Sequence, residues 1–329
     1  MKTYTISKFI ASGGTGLIFL LDDGIHVIKI INKEGIIKEE IDLYNQIMKT
    51  KKIYKKNLPL IKVIPISTIT NYKLFMKKYD YHNYPHNKAL VLNYCSYSLD
   101  VGLCKNINVT DLQKIESCNK TLIWSDIYLE CISLIKTVAS MNHAQFFHND
   151  IKLENILICN GKYLRLIDFG LTFKLDADKK LYPGGYGYFI NSYNYNYSVA
   201  TLRAAPMPIS IKENRYKYSY HKFLNRYISN LNDYNFDKIY TAIYGIEEYI
   251  KYLEILDTYD FIDFNYARYT ENIDSFGLGI ILLYLYHFSI RDGDNTDFTK
   301  VIYLLLAQDV NVQISPYIAY KMLMPSRMY

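Results

Sequence analysis

Apolar residues in the first third of the chain fall in short runs separated by turn residues. Tyr4, Ile6 and Phe9-Ile10 lead into a glycine cluster; Leu17 to Leu21 follows, and Val27 to Ile31 comes after Asp22-Asp23-Gly24. An Asp-Gly pair between two apolar runs is a hairpin signal, because the favoured tight turn needs positive φ at its centre. The period then changes. Ile36, Ile37, Glu40, Leu43, Tyr44 and Ile47 recur at three and four, which predicts a helix over residues 35–48. Ala89 to Leu92 reads as a short strand, Ser125 to His143 as a long helix, and Ile156 to Ile158 and Tyr163 to Ile167 as strands around an Asn160-Gly161 turn. Beyond Asn272 the pattern is helical again. Its apolar run, Phe276 to Ile290, is too short for a membrane span and contains His287 and Ser289, so it predicts a buried helix. Strands come early and helices late, the order of an α+β chain with two lobes.

Two stretches depart from this order. Residues 175–200, rich in Gly, Tyr and Asn, read as a long loop of a kind that is often functional. In residues 207–268, Ile239, Ile243, Ile246, Ile250, Leu253 and Leu256 recur at near-heptad spacing, which predicts one amphipathic helix, with a shorter one near residues 221–231. The sequence contains no convincing internal repeat.

Composition narrows the class. A chain of 329 residues sets a prior of two domains or lobes. Hydrophobic residues at 50% and charged residues at 21% exclude disorder as the dominant state. The 35 tyrosines discount the first figure, since their hydroxyls want water or a partner. The excess of Tyr, Asn, Lys and Ile carries the mark of an AT-rich gene. Net charge is +6, from 38 basic and 32 acidic residues, which suits an anionic small ligand and falls short of a nucleic-acid scaffold. Cys95, Cys104, Cys118, Cys131 and Cys159 are odd in number and widely spaced, with no C-x-x-C pair. They indicate neither a zinc ribbon nor a disulfide framework, and a reducing compartment is expected. The first nine residues lack a signal-peptide core. The lysine run from Lys49 to Lys56 reads as a solvated face after a helix, and the histidines show no metal-ligand spacing.

The chemistry concentrates between His148 and Gly170. Asp150, Lys152 and Asn155 share one short loop, flanked by the apolar pairs Phe146-Phe147 and Ile156-Leu157. Thirteen residues after that Asn, Asp168 ends a strand and precedes Phe169-Gly170. Acidic and amide oxygens brought together there make a hard donor set of the kind Mg²⁺ takes alongside phosphates. Asp150 is expected to stand apart from that set, free to act on a proton.

The segment His148-Asn149-Asp150-Ile151-Lys152-Leu153-Glu154-Asn155, with Asp168-Phe169-Gly170, resembles the catalytic loop H-R-D-x-K-x-x-N and the D-F-G motif of eukaryotic protein kinases. Other family elements lie in order. Residues 10–18 resemble the glycine-rich loop, with Ala11 at the first Gly, Gly13 and Gly16 at the later ones, Gly14 beside them and Ile18 in place of Val. Val27-Ile28-Lys29 resembles V-A-I-K, which implies a Lys29 that meets the α- and β-phosphates of ATP. Its helical partner is expected to be Glu40 rather than Glu39, because Glu40 shares a face with Leu43, Tyr44 and Ile47. Leu92 stands at the gatekeeper position, and Asn93 to Cys95 at the hinge backbone that holds adenine, with Asp100 near the ribose. The run from Asn272 through Asp274 to Gly277 is similar to the start of the family's central helix, which implies an Asp274 that bonds the catalytic-loop backbone from below. Residues 324–327 resemble P-x-x-R near the end of the domain.

The resemblance implies a small β-rich lobe and hinge over residues 1–95 and a mostly helical lobe over 96–329, with an insertion at about 207–268. It implies a Ser/Thr-type protein kinase using ATP and Mg²⁺. In it Asp150 and Lys152 are catalytic, and Asn155 and Asp168 hold the metal. Gly13, Gly14, Gly16, Ile18, Lys29, Glu40, Leu92, Asn93 and Cys95 hold the nucleotide. Protein substrates are implied, with no nucleic acid and no membrane span. A small-molecule phosphotransferase of similar fold and a non-catalytic binding module are the alternative readings. The chain also departs from the family. Asn149 replaces the Arg that in many members clamps an activation-loop phosphate, so this loop is expected to be ordered without phosphorylation. A-P-E appears as Ala205-Pro206-Met207, and Thr201 is one place off the position of the Thr that steadies the catalytic Asp and Lys. With the AT-rich composition, the eroded motif resembles kinases of large cytoplasmic DNA viruses, poxvirus-like ones among them, which implies the host cytoplasm or the virion.

Overall fold

The computed structural model describes residues 2–13, 16–31, 34–59, 61–78, 88–95, 97–98, 122–159, 162–174, 235–258, 272–290, 295–308 and 312–324. The N-terminal part is a five-stranded antiparallel sheet, ordered β1-β2-β3-β5-β4, in which β1 is Ile6–Gly13, β2 Gly16–Leu21, β3 His26–Ile31, β4 Ile61–Pro65 and β5 Lys88–Asn93. Alternation builds it: Leu17, Phe19 and Leu21 of β2 are buried, while Ile18 and Leu20 between them are only partly so. Gly24, with φ +70°, makes the β2–β3 turn announced by Asp23-Gly24.

Two elements here have no counterpart in the periodicity reading, β4 and the short helix α2, residues Tyr72–Lys78, counted after α1 below. The helix covers one face of the sheet, with Phe75 edge-on to Phe19 at 5.7 Å between ring centroids and Phe9 edge-on to Phe19 at 5.7 Å. Just before it, the Asn71 amide exchanges two hydrogen bonds with the Ile6 backbone, at 2.9 and 2.7 Å, as a neighbouring strand would.

Helix α1, Glu34–Lys49, turns Glu40, Tyr44 and Ile47 inward. Four helices dominate the C-terminal part: α3 Trp124–His143, α6 Ser275–Phe288, α7 Thr296–Leu306 and α8 Pro316–Leu323. Helix α6 is apolar all round and its residues are buried save His287, as expected of Phe276 to Ile290. A Cβ on Gly279 would sit 3.0 Å from the Leu306 side chain, so glycine permits the close approach of α6 and α7. Small antiparallel pairs complete this part: the hairpin of β9 Ile156–Cys159 with β10 Tyr163–Leu166, β9 being joined on its other edge by β6 Tyr97–Ser98, and β8 Phe146–Phe147 with β11 Phe173–Lys174. A parallel pair, β7 Leu122–Ile123 and β12 Ser289–Ile290, links the start of α3 to the end of α6. The chain is thus α+β, sheet first and helices after.

Two expectations need correction. The single helix expected from the Ile and Leu spacing in residues 239–256 is two helices, α4 Phe236–Tyr244 and α5 Ile246–Thr258, broken at Gly245 with φ +91°. The break shifts the helical phase, so Phe236, Ile239, Tyr240 and Tyr252 enter the core while Ile246 and Ile250 face outward. Second, Cys95 and Cys159 form a disulfide across 64 residues, where no framework was expected. Antiparallel pairing of β6 with β9, with Tyr97 opposite Ile158, brings the residues beside them together, which sequence spacing does not reveal. The helix expected near residues 221–231, the 175–200 loop and the Asn160-Gly161 turn lie outside the described residues. Among the described residues no helix is long and apolar enough to cross a membrane.

Candidate active site

Lys29 lies in the middle of the sheet, with Ile18 of β2 on one side and Leu90 of β5 on the other. Its ammonium is 3.2 and 3.3 Å from the two oxygens of Glu40 and 3.1 Å from Oδ1 of Asp168. Glu40 is therefore the helical partner, as its face on α1 indicated. Burial works against the charge on Lys29, but the carboxylates of Asp168 and Glu40 outweigh it and hold its pKa above the ordinary value. Burial raises Glu40 despite Lys29, and the Asp168 carboxylate adds to that rise. Asp168 is also burdened by burial, yet the charge and hydrogen bond of Lys29, with Lys152 adding to them, keep its pKa below normal, so it stays ionised.

The loop after β8 supplies the second group of residues. Asp150 Oδ2 accepts from Lys152 Nζ at 2.9 Å and from the Asn155 amide at 2.8 Å. This corrects the expectation that Asp150 stands apart: its companions are a cation and an amide rather than a second acid. Burial raises the Asp150 pKa against the pull of Lys152. The Asn155 amide also donates to the Asp150 carbonyl at 2.8 Å, and the Asn155 carbonyl accepts from Ile167 N at 2.9 Å. One residue thus ties the Asp150 loop to the strand end that presents Asp168.

Asp274, at the start of α6, is fully enclosed and accepts from the backbone of His148 at 2.9 Å and of Asn149 at 2.8 Å. The Asn142 amide, with its nitrogen turned toward Asp274, adds a third donor at 2.9 Å. Burial nonetheless pushes its pKa up to about 6. The His148 ring is buried, which lowers its pKa to about 4, and its Nε2 lies 3.0 Å from the Ile167 carbonyl. A neutral ring with its proton on Nε2 donates that bond. Phe169 stacks edge-on against both His148, at 5.1 Å, and Tyr44, at 5.8 Å. Tyr44 and Thr172 are contributors that the motif reading passed over: Thr172 Oγ1 donates to the His148 carbonyl at 3.3 Å. Asn149 and Asp168 both adopt left-handed backbone, φ +64° and +63°, which costs an L residue about 1–2 kcal/mol and which Asn and Asp tolerate best.

The remaining expected residues that the structure describes lie in the sheet or just after it. Gly13 faces Gly16 where β1 turns into β2, Leu92 pairs with Val27, and Asn93 pairs with His26. Cys95 follows as half of the disulfide with Cys159. Gly14, Asp100, Thr201, Ala205 to Met207 and residues 325–327 lie outside the described residues. The donor set suits Mg²⁺ in part. Asp168 offers an ionised carboxylate, and Asn155, whose amide nitrogen is committed to Asp150, offers its amide oxygen. Among the described residues no three His, Cys, Asp or Glu side chains gather to hold a metal by themselves, so an ion held by this pair draws further oxygens from elsewhere, as Mg²⁺ does from phosphates. A scan against models of known protein families finds no match to this chain, and a search of curated proteins finds none either.

Proposed function

We propose that the chain is an ATP-dependent protein kinase with a two-lobed, protein-kinase-like fold, transferring the γ-phosphate to serine or threonine hydroxyls. The observation that carries this reading is Lys29 held jointly by Glu40 and Asp168, two carboxylates far apart in the chain meeting on one cation. A lysine kept charged and aimed into the seam is suited to phosphate oxygens. Asp150 accepts the proton of the incoming hydroxyl as its oxygen bonds to the γ-phosphorus and the bond to the β-phosphate oxygen breaks, leaving ADP. The Asn155 amide orients that carboxylate, and Lys152, beside it, neutralises phosphate charge. Asp168 and Asn155 would hold Mg²⁺, which supplies charge neutralisation at the phosphates. Asp274 and the His148 ring fix the loop from below without touching substrate. The test of acceptor class is γ-labelled ATP with Mg²⁺ and a mixed protein lysate beside a panel of small alcohols. Label on protein serine or threonine is expected. Label on small alcohols alone points to a small-molecule phosphotransferase, and nucleotide bound without transfer points to a binding module.

A further inference from the structure

The Cys95–Cys159 bond occupies a specific place. Cys95 follows β5, whose Leu90 pairs with Lys29, and Cys159 ends β9, which begins directly after Asn155. Beside the candidate site, the Lys29–Asp168 ion pair and this covalent bond are among the side-chain links that tie the N-terminal part to the C-terminal part. The fold does not depend on the bond as a staple. Each part has its own large apolar core, and chains of this length bury enough surface without cross-links. Accessibility differs between the halves: Cys159 is buried, while Cys95 is partly exposed. Cys131, by contrast, is fully buried, and burial pushes its thiol pKa far up, which leaves it inert.

We propose that Cys95 and Cys159 are a reversible thiol–disulfide site, whose oxidised form clamps the end of β5 to the end of β9 and whose reduction frees that segment beside the candidate site. A thiol of the glutathione class attacks Cys95 Sγ, the reachable sulfur; the bond to Cys159 Sγ breaks and Cys159 leaves as a thiolate that takes up a proton. A second thiol then attacks the mixed disulfide and releases Cys95, so the protein gains two electrons and two protons and the two small thiols become a disulfide. The released segment is the one whose Tyr94 N–H bonds the Ile25 carbonyl at 2.8 Å at the end of the Lys29 strand. The consequence for nucleotide rests on the kinase reading; the cross-link itself does not.

The test is a titration of the full chain through a series of glutathione to glutathione-disulfide ratios. Site-resolved alkylation mass spectrometry reads the two sulfurs, and hydrogen exchange reads residues 88–98 and 156–159. The expected result is that Cys95 and Cys159 are blocked and freed together, and that reduction speeds exchange at Tyr94 several-fold. Cys159→Ser and Cys159→Ala should exchange like the reduced protein and ignore the ratio. Sulfurs that stay open to alkylation in glutathione disulfide, or a bond that breaks with no change in exchange at Tyr94, would overturn the proposal. Mg·ATP affinity measured at both ends of the series separates the two claims. A several-fold weakening on reduction supports both. Exchange that responds while nucleotide binds in neither state supports the cross-link and sinks the kinase reading.

Discussion

Tyr44 and Phe169 meet edge to face, with ring centroids 5.8 Å apart. Tyr44 lies one helical turn beyond Glu40, and Phe169 directly follows Asp168, so one aromatic contact places in register the two carboxylates that share Lys29. The Tyr44 hydroxyl donates to the Pro59 carbonyl, which fixes α1 to the loop that follows it. That loop is itself anchored to α3 and β10. The buried Asn57 side chain accepts from Ser133 at 2.6 Å and Thr137 at 3.1 Å and donates to the Leu164 carbonyl at 3.0 Å. The position of Glu40 is thus set from the C-terminal part of the molecule as well as from its own helix.

Removing the Tyr44 ring should be felt in both stability and chemistry. Tyr44→Ala leaves a cavity against Phe169 and should cost about 3 kcal/mol or more in denaturant unfolding. Tyr44→Phe keeps the ring and strands only the Pro59 carbonyl, at about 1 kcal/mol. Phosphoryl transfer should fall severely in the first and modestly in the second. Equal losses in the two variants would show that the hydroxyl, not the ring, holds the register.

Asp274 gives a pH dependence with a definite sign. Its folded pKa of about 6 lies above the unfolded value of 3.8, so its contribution to stability is complete below pH 3.8 and is lost as pH rises through 6. Asp274→Asn removes that titration. The destabilisation by this substitution should therefore be larger at pH 4.5 than at pH 7.5, by about 2 kcal/mol. The measurement is paired urea unfolding of wild type and variant at the two pH values; a larger penalty at pH 7.5 would reverse the assignment.

The segment after Asp168 is held by neutral groups. Asn149 Nδ2 donates to the Leu171 carbonyl at 3.4 Å, Thr172 bonds the His148 carbonyl, and Phe173 and Lys174 pair with Phe147 and Phe146. No phosphate is needed for these bonds. Complete dephosphorylation, confirmed by mass spectrometry, should change the transfer rate by at most about fivefold, the effect of one exposed ion pair. A hundredfold fall would mean that a basic residue elsewhere does the work of the missing Arg.

Much of the candidate site was legible because its residue types recur at fixed spacing within single elements. Lys29 could be placed on a strand and Glu40 on the inner face of a helix from the sequence alone. Asp274 could be placed under the loop only through the resemblance of Asn272 to Gly277 to the start of a kinase central helix. What was not legible depends on register between distant strands or on a single backbone angle. Cys159 meets Cys95 only because β6 pairs with β9. The Lys152 and Asn155 contacts to Asp150 depend on how one loop folds back on itself. The Ile and Leu spacing runs unbroken from residue 239 to 256 and gives no sign of the break at Gly245, yet φ +91° there turns the second helix. Gly245→Ala should accordingly cost about 1 kcal/mol or more, since an L side chain is strained in that conformation although space around it is open. Thermal unfolding of that variant, if unchanged, would place the break elsewhere.

The central claim is that Asp150 acts on an acceptor hydroxyl while Lys29 and Asp168 serve the nucleotide. The most direct measurement is γ-phosphoryl transfer from Mg·ATP to protein by wild type and Asp150→Asn, with nucleotide affinity measured on the same preparations. Transfer by the wild type is expected, with a loss of about 10² to 10⁴ in the variant and nearly unchanged affinity, since a displaced proton acceptor slows the chemistry and not the binding. An Asp150→Asn protein that transfers phosphate at the wild-type rate would contradict the account.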